Sequence, residues 1–200
     1  NVALKFVSTM TYQLGNATTS SIDFVTTVSP VQSIDFADKI TGDLNFNGVG
    51  GSWILHGNFS TASTATVTLT NGTLNTNSKS ITCGLFNSNN ANTRTLTLGA
   101  TTLTVTGVGA VWDLTTITNL TFSANTSVII INNTSSTAKT FAGGGMTTYN
   151  HIQFSGDNIN LSRATFVIGM LSSIPLNLSS FTSLSNLLNS FFNCGIILEV

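Results

Sequence analysis

The chain has 200 residues, enough for one domain with a sizeable core, and only 6% of them are charged, against about 25% in an average globular chain. With a net charge of -1 and six Lys plus Arg, it has nothing to attract a phosphate backbone, so we predict no nucleic-acid partner. No stretch approaches the roughly 20 apolar residues of a membrane-spanning helix, so we predict no membrane span. Because the chain starts with neither an initiator Met nor a signal peptide, we expect a mature, processed or partial protein.

Two Ile-Asp-Phe triplets, beginning at Ile22 and Ile34, open the pattern of short strands. Each has apolar residues on one side and an acid on the other, as expected of a half-buried strand. If the two strands stack, Asp23 and Asp35 lie side by side on the outside, and their oxygens could bind calcium. The alternative interpretation is that both acids are solvated charges.

Three later strands share one pattern, in which apolar and polar residues alternate and a glycine follows. They begin at Leu44, Leu103 and Ile152 and end at Gly48, Gly107 and Gly156. We expect the three apolar residues to be buried and the glycines to occupy corners with positive φ.

The first two of these strands continue into the motif G-V-G-x-x-W-x-L, which occurs once from Gly48 and again from Gly107. The motif places Trp53 and Trp112 at matching positions, which indicates a shared core or corner residue. The alternative is that the two indoles stack on sugar rings and bind a glycan.

Strands recur about every 10 to 14 residues, in units of about 24 to 29 residues. Within this pattern, Val67, Leu69 and Leu74 are matched by later apolar residues, the last of them by Leu103. The periodicity predicts an all-β fold, a β-solenoid over residues 1–170, and the crossover rule makes it a right-handed parallel β-helix.

The competing fold is an antiparallel β-sandwich or jelly roll, which Asn71-Gly72 favours as a hairpin turn. In the later copy of the pattern, Ala100-Thr101 stand at the matching positions. A β-branched residue fits such a turn poorly, so we interpret Asn71-Gly72 as a solenoid corner.

Residues 171–200 depart from the pattern and form a predicted cap or assembly segment. Apolar residues recur there at helical spacing, which predicts a short capping helix over residues 179–192. We expect the helix to bury its apolar side against a neighbouring copy, in a homo-oligomer or filament, or under the preceding coil. The assembly candidates are Phe181, Leu184, Leu188 and Phe191.

The only cysteines, Cys83 and Cys194, are far apart and lack metal-site spacing. Two buried thiols and one long-range disulfide both fit the sequence.

Three Thr/Asn-rich strings carry a resemblance to known proteins: they begin at Thr73, Asn92 and Ser136 and read TLNTNSKSITC, NTRTLTLG and STAKTFAGGG. Over residues 44–156 the sequence resembles the β-solenoid repeats of secreted bacterial surface proteins and of phage tail or virion appendages. The resemblance implies a spacer or adhesive module located outside the cell, at a cell surface or on a virion. It implies no active site.

We therefore expect a non-catalytic structural or adhesive protein that needs no cofactor. Its predicted partners are copies of itself and surface glycans. The alternatives are a carbohydrate-active enzyme, which would need paired acids along an outer groove, and a glycan-binding module on the same fold.

Overall fold

In the computed structural model, residues 2–5, 20–27, 30–145, 149–155 and 159–162 are described, and they contain strands and no helix. The predicted capping helix and the predicted boundary at residue 170 lie outside these ranges.

Within the described ranges the strands are short, apart from two. In chain order they are β1 (Val2–Lys5), β2 (Ser21–Phe24), β3 (Gln32–Asp35), β4 (Ile40–Thr41), β5 (Asp43–Leu55), β6 (Phe59–Thr61), β7 (Thr66–Asn75), β8 (Ile81–Cys83), β9 (Leu85–Asn87), β10 (Arg94–Thr97), β11 (Thr102–Val105), β12 (Gly109–Asp113), β13 (Leu120–Ser123), β14 (Val128–Ile131), β15 (Lys139–Ala142), β16 (His151–Phe154) and β17 (Ile159–Ser162).

The strands stack in three rows. The first row contains β2, the start of β5, the start of β7, β9, β12, β15 and β17; the second contains β1, β3, the end of β5, the end of β7, β10 and β13; the third contains β4, β6, β8, β11, β14 and β16. Every pairing among the described strands is parallel. The chain is therefore an all-β solenoid of about six coils, as predicted, and the antiparallel sandwich is wrong.

Apolar side chains of each row form continuous columns inside the solenoid. The third row stacks Phe59, Ile81, Leu103, Ile129 and Ile152 in register. All five are buried, which confirms the prediction for Leu103 and Ile152.

The first row adds a column that includes Leu44, which is also buried as predicted. Further along this column, Phe86 and Trp112 stack with ring centroids 4.6 Å apart, and Phe141 lies on the other side of Trp112 at 5.9 Å. Stacking of aromatic rings adds about 0.5 to 1.5 kcal/mol per pair to the burial of their area.

The coils vary in length, and only the early ones are shorter than the predicted unit. Leu44 stacks on Val67, and Leu74 stacks on Leu96, at offsets of 67 - 44 = 23 and 96 - 74 = 22 residues. Later, Phe86 stacks on Trp112 and Trp112 on Phe141, at 112 - 86 = 26 and 141 - 112 = 29 residues, which the predicted unit includes. The longer offsets found in the sequence do not join stacked positions, because Leu44 lies in the first row and Leu103 in the third. Inward and outward residues alternate in the same way in all three rows. Two strands from different rows can therefore be aligned with their apolar residues in phase, although they do not stack on each other.

The glycine prediction is wrong in detail. Gly107 lies at a corner, and Gly48 lies where β5 passes from the first row to the second, so both occupy corners as predicted. The positive φ angles of the two repeated motifs belong instead to Gly50 (75°) and Gly109 (79°). Gly48 is needed for close approach instead, since a Cβ there would lie 1.8 Å from the carbonyl oxygen of Thr26. Gly156 lies outside the described residues.

Asn71-Gly72 is a solenoid corner, as interpreted from the sequence. It lies within β7 where the chain passes from the first row to the second, and Gly72 has a φ of 83°. The Asn71 side chain donates from Nδ2 to Oδ1 of Asn47 in the preceding coil at 2.7 Å, so the corner links two coils.

Replacing Leu103 by Ala should lower the free energy of unfolding by about 2 to 5 kcal/mol, because the side chain is buried between coils and its loss leaves a cavity. The neighbouring outward change Thr104→Ala should cost less than about 1 kcal/mol. Urea unfolding of both variants measures the difference. Equal losses would show that the inside and outside of β11 are misassigned.

Candidate functional site

The two repeated tryptophans are core residues and not a sugar platform. Trp53 is 1% exposed and Trp112 is fully buried. They also occupy different rows, since Trp53 pairs with Leu74 in the second row and Trp112 with Phe86 in the first. The prediction that these indoles stack on glycans is therefore wrong, because neither offers a ring face to a ligand.

Two buried hydrogen bonds in series satisfy the indole N–H of Trp112. Its Nε1 donates to the hydroxyl of Tyr149 at 2.9 Å, and that hydroxyl donates to the carbonyl oxygen of Gly143 at 3.3 Å. Burial raises the pKa of Tyr149 far above its ordinary value, so the phenol stays neutral and acts as a structural link.

Asp23 and Asp35 do not stack, because β2 and β3 each pair with a different part of β5. Asp23 accepts a hydrogen bond from Nδ2 of Asn45 at 2.6 Å, and Asp35 accepts one from the backbone N–H of Ala37 at 2.9 Å. The prediction of a shared calcium site is therefore wrong. As with the tryptophans, the sequence match joins strands of different rows. The two Ile-Asp-Phe triplets lie in successive strands of one coil and not in neighbouring coils.

Two absences concern only the described part of the chain. No cluster of three or more His, Cys, Asp and Glu side chains with the spacing of a metal site occurs there. No helix of that part is long and apolar enough to cross a membrane. The predicted assembly residues lie outside the described ranges: Phe181, Leu184, Leu188 and Phe191.

The most regular polar surface is the outer side of the second row, which we name the second-row surface. Its strands pair without a register shift from residues 52–54 through residues 73–75 and 94–97 to 120–123. Their outward side chains form two columns: Ser52, Thr73, Thr95 and Thr121 in one, and Ile54, Asn75, Thr97 and Ser123 in the other. The sequence repeats do not reveal this surface, because their offsets align strands that lie in different rows.

Arg94 is a second feature that the sequence analysis missed. Its side chain is 1% exposed, and all five guanidinium N–H groups donate to carbonyl or hydroxyl oxygens at 2.6 to 2.8 Å. Desolvation lowers the pKa of Arg94, although the guanidinium remains charged. The acceptors are the Ser88 hydroxyl and the carbonyls of Ser88, Asn92, Thr116 and Thr118.

These bonds fasten the corners of two successive coils to the core beside the second-row surface. A sequence signal for this role exists, since Arg94 is in phase with the buried Leu96 and Leu98. A charged residue at an inward position of an alternating strand predicts a buried, fully hydrogen-bonded group.

Replacing Arg94 by Ala should lower the free energy of unfolding by about 3 kcal/mol or more, since each buried carbonyl left without a donor costs about 1 to 3 kcal/mol. Arg94→Lys should recover only part of the loss, because an ammonium has three donors and no planar fork. Lys79→Ala at a more exposed corner is the control and should change stability by less than about 0.5 kcal/mol. Urea unfolding that leaves Arg94→Ala as stable as the control would refute the role of this residue.

Cys83 is a free thiol buried in the third row, next to Val105 in the stack. Burial raises its pKa from 9.0 to about 12. Cys194, the other cysteine, lies outside the described residues. The raised pKa means that the thiol of Cys83 is kept neutral and unreactive while the chain is folded.

The raised pKa predicts a loss of stability at alkaline pH that Cys83→Ala removes. An unfolded thiol ionises near 9.0 and the folded thiol only near 12, so the free energy of unfolding falls as pH rises between these values. From about pH 9 to 10 the wild-type chain should lose up to about 1.4 kcal/mol per pH unit relative to the variant. Titration of the tyrosines affects both chains equally and cancels in this difference. Urea titrations that run parallel across this interval would contradict the neutral buried thiol.

Comparisons with known proteins add no relative. No family model matches the sequence, and no curated protein and no solved structure matches it significantly.

Proposed function

We propose that the chain is a non-catalytic structural or adhesive module of an extracellular or virion-surface appendage or filament. The observation that carries the proposal is the continuous in-register stacking of about six coils. At about 4.8 Å per coil, such a stack is a short stiff rod of about 30 Å, whose length grows with the number of coils. A rod of this kind separates, presents or joins other elements.

The outer surface supports the proposal because it is polar and almost uncharged. Its side chains link coils through neutral hydrogen bonds, such as Asn71 to Asn47 at 2.7 Å and Asn119 to the carbonyl of Ala91 at 2.9 Å. Neutral bonds of this type respond little to salt, which suits a protein exposed to changing surroundings. The uncharged surface also gives little repulsion between copies, so self-association belongs to the proposal.

The first experiment tests for catalysis. We expect the purified chain to release no reducing sugar from mixed plant, algal and bacterial polysaccharides. Release of sugar that disappears in a variant with Asp23, Asp35, Asp43 and Asp113 changed to Asn would favour a carbohydrate-active enzyme and contradict the proposal. These four are the acids that point outward from described strands.

The second experiment tests self-association through the C-terminal assembly candidates. We expect the full chain to form oligomers or filaments in sedimentation velocity at micromolar concentration, and Leu184→Asp with Leu188→Asp to reduce them to monomers. Ser183→Asp with Ser185→Asp adds the same charge at positions off the apolar spacing and should leave the assembly unchanged. A wild-type chain that sediments as a stable monomer would remove self-association from the proposal.

A further inference from the structure

The second-row surface is a regular grid of hydroxyl groups that the fold itself does not use. Within the described residues, the hydroxyls of Thr73, Thr95, Thr97 and Thr121 make no hydrogen bond with protein. The inward Thr76, by contrast, contacts the Thr101 hydroxyl at 2.6 Å and donates to Leu98 at 2.7 Å. The outward hydroxyls are therefore available to a ligand.

The grid has two fixed spacings. Neighbouring coils lie about 4.8 Å apart, and alternate residues along one strand lie about 6.6 to 6.8 Å apart. β-branched side chains are stiff at χ1, so each Thr holds its hydroxyl and methyl in few orientations. The buried Trp53, Leu74 and Leu96 hold the strands from behind. Because the array is already ordered before a ligand binds, the entropic cost of binding is smaller.

The charge of this surface restricts what it can bind. Its eight outward side chains, from Ser52 to Ser123, include no acid and no base. A charged ligand would be desolvated there without a partner, so the complementary ligand is neutral. None of the eight outward side chains is aromatic, so the surface offers no ring face on which a sugar could stack.

We propose that the second-row surface binds ordered water and thereby the surface of ice. A face of an ice crystal is neutral and extends in two dimensions. It offers hydrogen-bond donors and acceptors at repeats close to the spacings of the grid. Thr hydroxyls can enter such a lattice as donor and acceptor, while their methyl groups, like the side chain of Ile54, order the water beside them. This function goes beyond a structural or adhesive role and does not depend on it.

The other two rows do not offer an equivalent grid. In the first row, the outward residues Asp23, Asn45, Thr68, Asn87 and Asp113 stack in register and include two acids, and the column continues to the buried Ala142. In the third row, Thr102 and Thr104 are followed by Val128 and Ile130 in the next coil. The second row alone keeps uncharged polar residues at seven of the eight outward positions from residue 52 to residue 123.

The test compares substitutions on two rows of the full chain. Thr95→Lys places a charge in the middle of the second-row surface, and Thr68→Lys places one on the first row, at an equally half-buried outward position. Both variants should melt at the temperature of the wild type, as followed by circular dichroism. The readouts are recrystallisation of ice in frozen sucrose solution and partition of fluorescently labelled chain into a growing ice hemisphere.

We expect the wild type and Thr68→Lys to slow recrystallisation and to enter the ice, and Thr95→Lys to lose both effects. A wild type without either effect, or two variants that behave alike, would overturn the proposal. Retention of the wild type by insoluble cellulose or chitin that Thr95→Lys abolishes, with ice unaffected, would assign the surface to a neutral polysaccharide and also overturn it. Since the sugar-release and sedimentation experiments do not involve ice, failure here leaves the structural role untouched.

Discussion

Parallel stacking of one coil on the next is the constraint on which the rest of the structure depends. Each strand uses its backbone donors and acceptors on the coils before and after it, so the strands of a row must keep register. Register in turn brings like side chains together: Phe24 lies on Phe46 with ring centroids 4.8 Å apart, and Phe86 on Trp112. The core is therefore a set of columns, and its stability is shared among neighbouring coils.

The same stacking constrains the residue type at some positions and leaves it free at others. Inward positions must be apolar or, like Arg94, fully hydrogen-bonded. Corners must allow close approach, as at Gly48, or positive φ, as at Asn77 and Asn119. Outward positions within strands are under neither constraint. We therefore expect their side-chain chemistry to reflect what the surface binds. On the second row that chemistry is almost entirely hydroxyl and amide, which is the common basis of the structural and ice-binding proposals.

Sequence reasoning predicts the solenoid and the inside of each strand, because the alternation of apolar and polar residues has a period of two and marks Leu44, Leu103 and Ile152 correctly. It does not predict the row, because the alternation is the same in all three rows and corners vary in length. For this reason it matches Trp53 with Trp112 across different rows, and it stacks Asp23 on Asp35 although they follow one another in a single coil. The second-row surface is visible only when Thr73 is aligned with Thr95, its neighbour in the next coil.

Disulfide trapping tests this register most directly. In a Cys194→Ser background, Thr73→Cys with Thr95→Cys should form a disulfide readily, because paired strands place the two Cα atoms about 4.8 Å apart, inside the range of about 4.4 to 6.8 Å for disulfides. Thr73→Cys with Thr102→Cys, the pair that the longer sequence offset would stack, should not, because the two residues lie in different rows. Rapid oxidation of the second pair and not of the first would contradict the stacking on which the account rests.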